Sequence, residues 1–422
     1  MPKTSINQLK TLTFPHLQQL TECFTGRSHI LKEIDHWLQQ KDQRFFILSG
    51  EPGVGKSAIA AHLLQTRQDI VAHHFCQLGV KETVHPSHVL RSLAAQLNQA
   101  FPYYGDALLN TIKSTLSAEV NIEVEKIEDL IGKAKSKVKR VEINHLKTSD
   151  IVNEFDILLR APLAALPQFY KEDKGENPPE LAIIIIDGLD VAVIMEAGVQ
   201  EDEDLATLFA ALAEDESLPS WIRFIFTTRP DRRVLREFEP LKPYLIDERS
   251  KENLADIRQY VSQRMSLPAL QQLITKTQIE TQEWVEQLTQ RSQGNFRYIK
   301  SLLDELEIGS CSLDALSALP QDLVNSYDND FAQRFPVNDW SDRHDLILKT
   351  LAEAERPLTE DELATITEIR PRQLRQDLWG LRQFLDVDLV GDKLEEQHET
   401  FTIFHHSLKE YLIRRSPSVT IS

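Results

Sequence analysis

At 422 residues the chain is long enough for about two to four domains with sizeable cores, which excludes a small disulfide-stapled or metal-stapled scaffold. Forty-seven Lys and Arg stand against 65 Asp and Glu, a net charge of −18, so the whole molecule repels phosphate backbones and anionic lipid; a general nucleic-acid coat is excluded and nucleic acid is disfavoured as a partner. With 41% hydrophobic and 27% charged residues and only 14 Gly and 19 Pro, disorder, collagen and low-complexity repeats are excluded too.

The three cysteines, Cys23, Cys76 and Cys311, are widely spaced and lack CxxC or Cys/His ligand spacing, so they read as free thiols in a reducing, cytoplasmic setting. Residues 1–20 form a polar leader without a signal-peptide core. The longest strongly apolar run, Leu181 to Ile186, is far short of the ~20 residues a membrane span needs, and no membrane partner is expected.

In chain order, Ile30, Ile34, Trp37 and Leu38 repeat at helical spacing. RFFILSG (44–50) is a short aromatic strand; a Gly-rich loop follows, and then KSAIAAHLLQ, rich in helix formers. VAHHFCQL (71–78) is a second strand, HPSHVLRSLAAQLNQAF (85–101) and VNEFDILLRAPLAAL (152–166) are amphipathic helices, and residues 118–150 make an insertion on the sheet edge. LAIIIIDGL (181–189) has the continuous β-branched character of a central strand covered on both faces. DLATLFAALAEDE (204–216) is helical and WIRFIFTTRP (221–230) is a strand with a polar tip. Repeated βα units call for one parallel sheet, over residues 21–242. Past Pro243 the pattern turns helical: NLADIRQYVSQRM (253–265), TQEWVEQLTQRSQGNFRYIKSLLDELE (281–307) with Gly294 interrupting, and DLVNSYDNDFAQRF (322–335). Residues 243–318 are thus a helical domain. Residues 319–422 read as three helices, a two-strand ribbon and a closing helix, a winged-helix pattern, with Thr359 and Glu362 spaced as a capping box.

Gly50-Glu51-Pro52-Gly53-Val54-Gly55-Lys56-Ser57, with Ala58 continuing the helix, matches G-x-x-x-x-G-K-[ST] between strand and helix. Its glycines turn backbone N–H groups toward a polyphosphate at a helix N-terminus, Lys56 reaches the terminal phosphates and Ser57 offers a hydroxyl to Mg2+. Asp187, directly after AIIII, takes the Walker B role of holding Mg2+ with Ser57; Asp190 is placed to orient or deprotonate water. Arg229 follows the strand RFIFTT, at the end of a parallel sheet that faces the ligand crevice, where it can sense a γ-phosphate. His405 and His406 are adjacent at the end of the last ribbon, so at most one faces a ligand, and a structural role is the more common reading. Lys133, Lys135, Lys137, Lys139 and Arg140, and the series Arg370, Arg372, Arg375 and Arg382, read first as solvated surface among nearby acids.

FTGR (24–27), GEPGVGKS, IIIIDGLD, FTTRPD, ENLADIRQYV, GNFRYI, the LP-x-x-L segment (319–323) and HHSLKEYL occur in an order that resembles the STAND class of P-loop NTPases, specifically the NACHT-type modules of bacterial, especially cyanobacterial, signalling proteins. That resemblance implies an α/β fold, an AAA+-like P-loop NTPase parallel sheet followed by a helical domain and a winged-helix domain. It implies ATP/ADP and Mg2+ as cofactors, Phe24, Thr25, Gly26 and Arg27 beside the adenine, Arg229 as the sensor arginine, and His405 on the β-phosphate of ADP. The function implied is a nucleotide-dependent conformational switch that forms a homo-oligomer in the ATP state, with sensor and effector on separate proteins or domains. Val191 stands where such proteins often carry a second acid, so hydrolysis is expected to be slow; Phe296 stands where a G-x-P proline often touches adenine. The competing expectation is a DNA-associated AAA+-like ATPase that uses the winged helix on DNA.

Overall fold

The computed structural model describes residues 11–15, 17–40, 43–77, 80–119, 151–172, 177–195, 204–213, 215–239, 241–275, 280–308, 342–354, 356–381, 384–390, 398–403 and 406–415. Outside these lie nearly all of the 118–150 insertion with its basic run, the 322–335 helix, the LP-x-x-L segment, Arg382 and His405. By its contacts the chain divides into two compact units: Met1–Gly50 with Lys56–Ile246, and Glu51–Gly55 with Asp247–Ser422.

The first unit is built on a five-stranded sheet of β1 (Phe45–Gly50), β2 (Ile70–Phe75), β3 (Ala182–Asp187), β4 (Ile222–Thr228) and β5 (Tyr244–Ile246), in the order β2-β3-β4-β1-β5 with every pair parallel. Every residue of β1, β3 and β4 is buried, as strands covered on both faces require, whereas the edge strands β2 and β5 are partly exposed. The register pairs Ile186 with Phe226, Ser49 with Thr228 and Phe75 with Asp187, so Gly50, Asp187 and Thr228 end neighbouring strands on one side of the sheet. Helix Lys56–Thr66 leaves β1, and helix Pro86–Ala100, opened by Pro86, buries Val89, Leu90, Leu93, Ala94 and Leu97 in the core beneath β2.

Three features of this unit differ from the sequence pattern. Helix Tyr104–Glu119 has no counterpart among the elements that the sequence pattern predicts. The 152–166 helix carries a π turn, Asp156–Arg160, between Ile151–Phe155 and Ala161–Glu172, so Ile157, Leu158 and Leu159 are all buried in succession. The wider turn leaves the Leu158 carbonyl to accept a hydrogen bond from the hydroxyl of the fully buried Tyr104, whose phenol is pushed to higher pKa by desolvation. The third is β5, which extends the sheet three residues beyond Pro243 by pairing with Leu48, Ser49 and Gly50.

The second unit packs helices Lys251–Met265, Thr281–Ser292 and Phe296–Ile308 through Ile257, Val261, Leu288, Ile299, Leu302 and Leu303. Arg264, nearly buried, adds ion pairs to Asp304 and Glu307 at 2.7 Å each. Helices Asp342–Glu353, Glu360–Thr367 and Pro371–Leu381 follow, then an antiparallel sheet in the order β6 (Leu358–Thr359), β8 (His398–Ile403), β7 (Leu385–Val390), and the closing helix His406–Arg415 packs on Asp342–Glu353. The ribbon therefore has three strands where two were expected, because Leu358–Thr359 pairs with Phe401 and Thr400 just before Thr359 caps its helix. That cap is a capping box: Thr359 accepts from the Glu362 N–H, and the Glu362 carboxylate accepts from the Thr359 N–H. Among the described residues no helix is long and apolar enough to cross a membrane.

Candidate functional site

The end of β1 continues directly into the loop Glu51–Gly55 and the helix that starts at Lys56. Gly53 (φ 88°) and Gly55 (φ 100°) occupy the left-handed region, with Val54 fully buried between them and a turn bond from the Val54 N–H to the Glu51 carbonyl. Alternating left-handed glycines aim successive amides to one side, the geometry that cradles an anion at a helix start. The Lys56 ammonium donates to the Gly50 carbonyl, which sets it beside the tip of β1.

The tips of β3 and β4 are joined by side chains. Thr227 Oγ1 donates to Asp187 Oδ1 at 2.6 Å and accepts from the Gly188 N–H at 2.9 Å. Asp187 is 4% exposed, and desolvation raises its pKa; hydrogen bonds from Thr227 and Ser57 and the charge of Lys56 pull the other way, and Asp190 adds to the rise. Lys56, Ser57 and Asp187 are thus brought into one interacting group. A single buried carboxylate with a hydroxyl partner is a hard-oxygen donor set, and among the described residues no cluster of three His, Cys, Asp or Glu could hold a metal by itself. This donor set fits Mg2+, which dehydrates reluctantly and is commonly held by one or two carboxylates together with substrate phosphates.

Asp190 and Arg229 are also paired. Asp190, 2% exposed, accepts the Arg229 backbone N–H at 3.0 Å through Oδ1, while Oδ2 lies 3.2 Å from Arg229 Nε. The carbonyl of Arg229 accepts from Thr228 Oγ1 and from the Asp231 N–H. Asp190 therefore faces Arg229 at both its main chain and its side chain.

The FTGR segment stands against the helix that begins at Lys56. The Phe24 ring stacks face to face on His62, centroids 4.0 Å apart and planes 8° apart, and burial lowers the His62 pKa, which favours the neutral ring. Gly26 (φ 75°) and Arg27 (φ 65°) make a left-handed pair that starts helix Ser28–Gln39, and Arg27 is 2% exposed. Thr25 Oγ1 donates to the Cys23 carbonyl.

Within the second unit the loop Glu51–Gly55 has partners outside the P-loop motif itself. Asn295 Nδ2 donates to the Pro52 carbonyl at 2.9 Å, Asn295 Oδ1 accepts from the Tyr298 N–H at 3.0 Å, and the Arg297 N–H donates to the Gly53 carbonyl at 3.1 Å. Asn295 thus caps helix Phe296–Ile308 with one end of its amide and holds the loop with the other. Gly53 allows this approach, since a Cβ there would run into the Asn295 amide; Gly294 (φ 91°) packs against the Glu248 backbone, and its carbonyl accepts from Asn253 Nδ2, which also reaches the Glu248 carbonyl. The sequence signal was present: Gly-Asn at a helix start, inside GNFRYI. His405 lies outside the described residues.

The family described as Nephrocystin 3, N-terminal, matches residues 28–145. None of the curated proteins matches the sequence. Among solved structures the chain is similar to Drosophila ORC bound to DNA, at 12% identity and TM-score 0.34, covering 98% of this chain and 96% of that one. It is similar to the ORC2 protein of Aeropyrum pernix in its ADPNP-ADP complexes, at 14% identity and TM-score 0.38, covering 96% and 97%. A Pyrococcus horikoshii STAND protein with a tetratricopeptide repeat sensor is a third, at 13% identity and TM-score 0.33; the match takes in 94% of this chain and 43% of that chain.

Proposed function

We propose that this chain is an ATP/ADP-binding NTPase of STAND type with a NACHT-like module, acting as a nucleotide-dependent conformational and oligomerisation switch with slow hydrolysis. The observation that carries the reading is one group of side chains at the sheet's C-terminal edge: Lys56 and Ser57, opening the helix behind a loop with left-handed Gly53 and Gly55, interacting with the buried Asp187. In this reading the amides of residues 51–57 bind the phosphates, Lys56 neutralises their charge, and Ser57 and Asp187 are the Walker-type ligands of Mg2+. When bound, Mg2+ supplies charge neutralisation between the phosphates. Phe24 to Arg27 border the adenine, Arg229 reads the terminal phosphate, and His405 contacts the β-phosphate of ADP from a winged-helix domain.

Slow turnover is supported by the position of Asp190, whose Oδ1 accepts the Arg229 backbone N–H and whose Oδ2 lies 3.2 Å from Arg229 Nε, so that both oxygens are turned toward Arg229. A switch needs two states that bind the two nucleotides differently, and a terminal phosphate near an arginine supplies such a difference. A role on DNA ranks below this reading. The exposed Arg375 is paired with Glu360, so an acid neutralises part of the basic series on helix Pro371–Leu381. Solution mass measured by light scattering with Mg-ADP and with a non-hydrolysable ATP analogue tests the switch. Assembly with the analogue alone is expected; identical masses would overturn the switch.

A further inference from the structure

The carboxylate three residues beyond Asp187 has the spacing of a water-activating group, but its partners give it another task. Asp190 is 2% exposed and engages one residue at two places: the Arg229 backbone N–H at Oδ1 and Arg229 Nε beside Oδ2. Thr228 Oγ1 and the Asp231 N–H hold the carbonyl of the same residue. Arg229 thus has its amide, its carbonyl and the root of its guanidinium all located by neighbours on the β3 and β4 tips. Its side chain remains 28% exposed. A guanidinium carries five N–H donors in a planar fork, so a carboxylate at Nε fixes the direction in which the two terminal nitrogens point.

Resting on the nucleotide reading above, we propose that Asp190 is a positioning residue for Arg229. It orients the distal face of the guanidinium for the terminal phosphate of a nucleoside triphosphate, and thereby sets how strongly the site distinguishes tri- from diphosphate. Asp187 has a different role by its partners, since its carboxylate is held by Thr227 and Ser57 and belongs with the metal. The two acids of IIIIDGLD therefore serve two readouts: Asp187 the cation, Asp190 the phosphate count. No proton transfer is assigned to Asp190.

The test is the ratio of ADP to AMPPNP dissociation constants, by calorimetry in Mg2+, for the full chain, for Asp190→Asn and Arg229→Ala, and for the double variant. Asp190→Asn keeps the side chain's shape but presents an amide to Nε. The substitution removes the carboxylate charge that lies 3.2 Å from Nε, so the preference for AMPPNP is expected to fall about tenfold or more while ADP affinity changes less than about threefold. Arg229→Ala is expected to remove the preference, and adding Asp190→Asn to it to change nothing further. Circular dichroism and the retained ADP affinity check that the variants are folded. An unchanged ratio in Asp190→Asn with lost ATP turnover would return Asp190 to the role of general base and overturn the proposal. A rise in the ratio would make Asp190 a competitor of the phosphate and overturn it as well. Failure of the unmodified chain to bind either nucleotide would instead overturn the nucleotide reading itself, and this inference with it.

Discussion

Two buried polar centres, one in each unit, are built from opposite materials. At the β3 and β4 tips the groups are charged or ionisable: Asp187, Asp190 and Arg229, bridged by Thr227. In the second unit Asn253 and Asn295 do comparable joining with neutral amides, and Gly294 gives the space. The charged centre changes its energy when a cation, a phosphate or a proton arrives, whereas the amide centre is indifferent to all three and holds shape. A site that must respond and a frame that must not are made of different chemistry.

The amide centre should break sterically. At Gly294 the φ of 91° disfavours an L side chain, and an added Cβ would lie 2.2 Å from the backbone carbonyl oxygen of Glu248, which has no flexible end to move aside. Gly294→Ala is expected to destabilise the chain by more than about 3 kcal/mol in denaturant unfolding, the largest effect of those considered. A loss under about 1 kcal/mol would contradict the rigid-frame account.

The first unit should instead show its weakness in acid. His74 on β2 is fully buried beside β3, with Nε2 2.6 Å from the Thr83 carbonyl, and desolvation lowers its pKa from 6.5 to about 4. The folded state therefore binds the proton less readily than the unfolded state. Its contribution is fully present above about pH 6.5 and is lost as the pH falls toward 4. The loss from this one group between pH 7 and pH 5 is roughly 2 kcal/mol. Burial also lowers the pKa of His73 and His85, which adds to it in the same direction. Unfolding curves for His74→Gln should fall less steeply over that interval, and an equal slope would remove His74 as the cause.

The same contrast governs which elements are legible in the sequence. The central strands were legible because AIIIID, FFILSG and IRFIFTT are continuous apolar runs, and the loop was legible because glycine at fixed spacing leaves few alternatives. Strand β5 was not, since it is three residues long and Leu245 is 61% exposed, so it has no apolar run to mark it. The π turn at Asp156–Arg160 keeps a helical composition and shifts only the hydrogen-bond step. Residue types at the site were legible, but partners were not. Asp190 lies 39 positions from Arg229 and Asn295 lies 243 from Pro52, distances over which one sequence carries no pattern.

Calorimetric titration of ADP with Mg2+ into the full chain and into Lys56→Ala tests the central claim most directly. The account predicts binding by the unmodified chain, at least about hundredfold weaker binding by Lys56→Ala, and an unchanged far-ultraviolet spectrum in both. Equal heats from the two proteins, or no heat from the unmodified chain, would contradict it.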